Sequence, residues 1–66
     1  MRITVNGEAR EVADGCTVAA LLAQLQLPST RAAVEVDRVL VRRAEHAGHV
    51  LRDGAAVEIV TLVGGG

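Results

Sequence analysis

The stretch MRITVNGEAREVADG, residues 1–15, runs straight into CTVAALLAQLQLP, residues 16–28, and the junction of these two patterns decides the fold. In the first, Ile3 and Val5 alternate with Arg2, Thr4 and Asn6, the period of a strand with one face in a core. Asn6-Gly7 then supplies the two positive-φ positions of a type I′ hairpin turn. A two-residue loop sets Val5 opposite Glu8 and Met1 opposite Val12, so the second strand brings little apolar surface inward. Arg10 is expected to lie along it with its aliphatic stem packed. Asp14-Gly15 closes the hairpin. In the second pattern Thr17 is suited to be an N-cap, its hydroxyl accepting from a free N–H of the first turn. Val18, Leu21, Leu22 and Leu25 follow at i, i+3, i+4 and i+7, one apolar helical face. Pro28 disfavours the α conformation at Leu27 and is expected to stop the helix near Gln26.

Downstream, PSTR reads as a loop. AAVEVDRVLV, residues 32–41, places Val34 and Val36 on one side of a strand, turns near Asp37-Arg38, and continues with Val39 and Val41. RRAEHAGHVL reads as a turn of helix before the Asp53-Gly54 turn. The last strand, AAVEIVTLV, puts Val57, Ile59 and Thr61 on one face and Glu58, Val60 and Leu62 on the other. The order is therefore hairpin, helix, two strands, short helical turn, final strand. One helix cannot cover both faces of a sheet, so an α+β fold of four or five strands is expected, with the main helix on one face and the other left open.

Sixty-six residues make one domain, near the lower size at which a core holds without disulfide or metal. Half the residues are apolar but Phe, Tyr and Trp are absent, so the core falls to Val, Leu, Ile and Ala. The single cysteine, Cys16, excludes an internal disulfide, and with no signal-peptide pattern the expected setting is a reducing cytoplasm. No apolar run suits a membrane span. Seven basic and eight acidic residues, a net charge of −1, give no basic stripe for nucleic acid, and there are no aromatics for base stacking.

The chain ends TLVGGG, residues 61–66. We expect a globular body over residues 1–61 and a flexible tail over 62–66, since three glycines have nothing to bury. Ordering them would cost about 3–6 kcal/mol, which only a partner can offset. A chain without Cβ atoms passes through a channel as narrow as the backbone, with Gly64 and Gly65 threading and the Gly66 carboxylate delivered to an active site that the body cannot enter. Adenylation by ATP would turn that carboxylate into an acyl donor, and attack by sulfur would give a thiocarboxylate. The other reading of such an ending is a frayed end or cloning remnant. Val60 and Leu62, turned outward beside the tail, form with Val63 a candidate docking patch; scattered surface hydrophobes are the alternative.

Other residues invite weaker readings. Cys16 precedes a helix N-terminus, which favours thiolate, yet no base lies near it in sequence, and a small packed side chain is the preferred reading. His46 and His49, with Glu45, have the spacing of a partial metal site. Solvated helix-surface residues are the preferred reading, and no metal is expected.

Taken together, the Asn6-Gly7 hairpin, the Asp14-Gly15-Cys16-Thr17-Val18 lead into a helix carrying Leu21-Leu22, the Leu51-Arg52-Asp53-Gly54 turn, and Val57-Glu58-Ile59-Val60 running to Val63-Gly64-Gly65-Gly66 resemble the ubiquitin-like sulfur carrier proteins, most closely the ThiS family of thiamine biosynthesis. The resemblance spans the whole chain. It implies a β-grasp fold and a protein cosubstrate with no catalytic residue, whose Gly66 is already the mature end. A ubiquitin-activator-like adenylyltransferase using ATP and Mg²⁺ would adenylate Gly66. Sulfur drawn through a cysteine desulfurase would make the thiocarboxylate, and thiazole synthase would accept it. Ala55 departs from the family, which often carries an acid there, as does EHAGH, where an aromatic is common. The molybdopterin synthase small subunit shares fold and ending but is longer and richer in aromatics. A modifier joined to lysine through the same tail is the reading from another class.

Overall fold

The computed structural model describes residues 1–62; the expected tail residues Val63, Gly64, Gly65 and Gly66 lie outside them. Strands β1 (Arg2–Val5) and β2 (Glu8–Glu11) form the first hairpin, followed by helix α1 (Val18–Gln24), β3 (Ala32–Val36), β4 (Val39–Val41) and β5 (Ala56–Thr61). Short 3₁₀ turns stand at Ser29–Arg31 and Arg43–Glu45. The sheet has five strands in the order β2-β1-β5-β3-β4, so the last strand in sequence is the central one in space. β1 and β5 run parallel, with Val5 beside Val57, and every other pairing is antiparallel.

Both hairpins use left-handed turns. Asn6 and Gly7 take φ of 50° and 84°, the type I′ geometry that the dipeptide predicts, and Val5 pairs with Glu8 as expected. The β3–β4 turn has the same hand but is built from Asp37 (φ 51°) and Arg38 (φ 68°), with no glycine to relieve it. Asp37 compensates by fastening the start of β5: its N–H donates to the Ala56 carbonyl at 2.8 Å, and its Oδ1 accepts from Ala56 N–H at 3.0 Å.

Thr17 caps α1 as the sequence suggests, its Oγ1 accepting from Ala20 N–H at 3.1 Å. Two further N–H groups of the helix start, from Val18 and Ala19, donate to the His49 and His46 carbonyls. The loop after the second 3₁₀ turn thus completes the capping. At the other end the helix closes at Gln24, short of the expected Gln26. Gln26 adopts φ 59°, its N–H donates to Ala23 O, and Leu27 N–H reaches back to Leu22 O at 2.9 Å. This paired arrangement is a Schellman ending that uses glutamine where glycine is usual, so the left-handed turn stops the helix before Pro28 exerts its restriction.

The core lies between α1 and one face of the sheet. Val18, Leu21 and Leu22 from the helix meet Ile3, Val34, Val36, Val41, Val57 and Ile59 from the strands, and Leu51 and Ala55 seal the edge. Ala55 is buried, which explains why a methyl group stands where the resemblance led us to look for an acid. No helix among the described residues is long and apolar enough to cross a membrane.

Candidate functional site

The site is the root of the C-terminal segment, where β5 ends. Along β5, Val57 and Ile59 point into the core, while alternation turns Glu58 and Val60 to the open face. Val60 is 61 % exposed and Leu62, just past the strand, 54 %, so both stand where the sequence placed them. Leu62 N–H donates to the Arg31 carbonyl at 2.7 Å. Hydrogen bonding therefore extends one residue beyond the expected body, 1–61, and anchors Leu62 to the domain.

Strand register assembles the rest of the patch. Ala33 on β3 stands opposite Val60, and Leu40 on β4 stands opposite Glu35, with Leu40 60 % exposed. Ala33, Leu40 and Val60 line one shallow depression with Glu35, Glu58 and Arg38 around it. Leu40 escaped the sequence reading, since Val39-Leu40-Val41 is aliphatic throughout; it is the burial of Val41, fixed by pairing with β3, that turns Leu40 the other way. Glu35 and Glu58 are direct cross-strand neighbours, and two like charges in register give the middle of this face an acidic character at some cost in stability.

The position of β5 is held by a contact that sequence alone did not suggest. β1 ends at Val5, but the side chain of Asn6 continues its pairing. Oδ1 accepts from Ile59 N–H at 2.7 Å and Nδ2 donates to Ile59 O at 3.1 Å. The amide imitates one more strand residue and fixes β5 two positions before its end. The same residue thus makes the turn and braces the last part of β5.

The remaining candidates separate. Cys16 is buried, 6 % exposed, with Sγ 3.5 Å from the Thr17 carbonyl, which suits packing at the start of the helix. His46 overturns the solvated reading: it is 2 % exposed, and Nε2 lies 3.1 Å from the Val41 carbonyl, bridging the second 3₁₀ turn to β4. The EHAGH stretch gives no periodic sign of this burial, which arises from the loop folding against the sheet edge. Glu45 is exposed and His49 half-buried. No group of three or more His, Cys, Asp or Glu side chains with metal-binding geometry occurs among the described residues.

A mixed sheet with its last strand in the centre, one helix across one face and an apolar open face at the end of that strand defines a β-grasp protein of the ubiquitin-like class. The chain belongs to the ThiS family, whose model matches residues 3–66. It is 33 % identical over 66 residues to the sulfur carrier protein ThiS of Escherichia coli, covering all of both chains. The crystal structure of the thiamine biosynthesis protein ThiS from Geobacter metallireducens superimposes with a TM-score of 0.84 at 32 % identity over the full length of both chains. A thiazole synthase of Paramagnetospirillum magneticum is 38 % identical over the same 66 residues, and there the chain spans only 20 % of the relative's length.

Proposed function

We propose that this protein is a sulfur carrier for formation of the thiazole ring of thiamine, with Gly66 as the residue that carries the sulfur. The cycle proceeds by successive displacements. The Gly66 carboxylate attacks the α-phosphorus of ATP, releasing pyrophosphate and leaving an acyl-adenylate, with Mg²⁺ serving the activating enzyme. The terminal sulfur of a persulfide supplied through a cysteine desulfurase then attacks the acyl carbon and AMP departs. A thiol next attacks the acyl disulfide so formed, releasing the thiocarboxylate and leaving the disulfide with the donor. Thiazole synthase accepts that sulfur. The carrier contributes a terminus and a surface; the acid, base and metal chemistry belong to its partners.

The observation that carries this reading is the apolar set Leu40, Val60 and Leu62 on the open face, at the root of a glycine ending, in a chain of the ThiS family. An exposed group of this kind gives an activating enzyme something to hold while Gly64 and Gly65 thread. The thiazole synthase relative that contains the same unit within its own chain supports thiazole synthase as the receiving partner.

Incubation with the activating enzyme, ATP and a sulfur donor should exchange one oxygen for sulfur, localised to Gly66 by intact and fragment mass spectrometry. Removing Gly66 should abolish the exchange and leave the fold intact. Exchange that survives this deletion, or higher-mass lysine conjugates in place of it, would remove the proposal.

A further inference from the structure

The helix-bearing face has a groove at the same end of β5, on the opposite side from Val60 and Leu62. Val5 and Ile59 form its floor, Leu25 and Leu27 from the end of α1 form one wall, and Thr61 marks the end near the tail. The one cationic side chain lining it is Arg10, which stands across from the buried Ile3, so that its stem lies against the core as the sequence implied.

The head of Arg10 is the unusual part. Its Nε is buried and has no hydrogen-bond acceptor, and its guanidinium makes no ion pair, both among the described residues. Glu8 lines the same groove without reaching it. A buried N–H of a charged group without an acceptor is among the costlier defects a small core can hold. A guanidinium fork is matched by a carboxylate, two parallel N–H···O bonds to a planar group, better than by any neutral acceptor. Apolar walls beside it suit the methylenes that carry such a carboxylate.

We propose that this groove receives an aspartate or glutamate side chain of the protein that works on the tail, its carboxylate bound by Arg10 and its stem against Leu25, Leu27 and Ile59. This rests on the reading that a partner takes hold of the C-terminal segment. The groove and the Leu40, Val60 and Leu62 patch flank the same last residues of β5, so a body gripping that strand from its end meets both. In the P. magneticum relative, the unit shares its chain with a much larger remainder. Glu8 on the rim opposes an incoming carboxylate, and this gives the proposal a second sign to test.

With the protein uniformly ¹⁵N-labelled, the Arg10 Nε–H and Ile59 amide resonances are followed as isovalerate or its neutral analogue isovaleramide is added. Isovalerate should shift it saturably and isovaleramide should not; Arg10→Met should remove the response in the neighbouring Ile59 amide, and Glu8→Gln should tighten isovalerate binding. Equal responses to both probes, or a response indifferent to Arg10→Met, would overturn the assigned chemistry whatever the partner proves to be. Binding to the activating enzyme and to thiazole synthase is then compared for the native protein and Arg10→Met. Binding should weaken by about tenfold to at least one of them, while the melting temperature holds or rises because the orphan donor is gone. If the native protein binds and Arg10→Met binds within about twofold, the carboxylate is not borne by the partner. If the native protein binds neither enzyme, the sulfur-carrier reading fails, while the isovalerate titration still decides the groove.

Discussion

Arg38 shows how much one residue's backbone can cost. It occupies the second central position of a type I′ turn at φ 68°, where its Cβ crowds the following peptide and glycine has no such conflict. Replacing it, Arg38→Gly, should raise stability by about 1 kcal/mol, and for a domain of this size that is about 4–8 °C in a thermal melt followed by circular dichroism. A lower melting temperature would mean that the Arg38 side chain contributes more than its backbone loses. At this scale the sequence was legible where chemistry is local: Asn6-Gly7 announced its turn, and Thr17 its cap. It was opaque where a residue answers to something distant. His46 is buried because the Val41 carbonyl lies beside it, and Asn6 braces Ile59 across 53 positions of chain. Neither partner can be named from a neighbouring residue.

Among the elements, β5 bears the proposed docking residues and its alternation was readable, which is why Val60 and Leu62 could be assigned outward without knowledge of its pairing. β4 was harder. Three consecutive aliphatic residues, Val39, Leu40 and Val41, contain no contrast between faces, and only the register with β3 separates the buried Val41 from the exposed Leu40. Leu40→Ser removes apolar surface from the patch without touching the core. Its melting temperature should match that of the native protein, while the KM for the carrier in the activation step, read by pyrophosphate release, should rise by about tenfold with kcat unchanged. A KM that does not move would place the docking surface elsewhere. The end of α1 teaches a different point: the Pro28 signal was real, but Gln26 in a left-handed conformation closed the helix first, and glutamine gives no advance notice of that.

For the molecule as a whole, the decisive arrangement is that the first and last strands lie side by side, β1 parallel to β5, at the middle of the sheet. The core cannot close until the first and last strands meet, so the described residues form a single cooperative unit. Deleting residues 63–66 should therefore leave the urea midpoint and its slope unchanged while abolishing sulfur loading. A lowered midpoint would show that the body draws on those residues. This long-range pairing was the part of the fold least visible in the sequence, because periodicity assigns strands but not their neighbours. The α+β class, the single helix on one face and the open opposite face followed from local pattern and from the arithmetic of covering a sheet.

The double duty of Asn6 also sets how the protein ages. An asparagine followed by glycine is chemically labile, since the next backbone nitrogen can attack the side-chain amide, and asparagine is among the residues that proteins exposed to heat tend to lose. Here that amide is held by the N–H and the carbonyl of Ile59, so loss of ammonia through a cyclic imide, to aspartate or isoaspartate, should be slow in the folded protein and fast after unfolding, as peptide mapping of stored native and denatured samples would reveal. Once formed, the aspartate offers no donor to the Ile59 carbonyl and sets a negative charge against it. The lesion would then loosen the central strand near its end, and, if that strand presents the C-terminal segment as proposed, it would tie the working lifetime of the molecule to the integrity of a single amide.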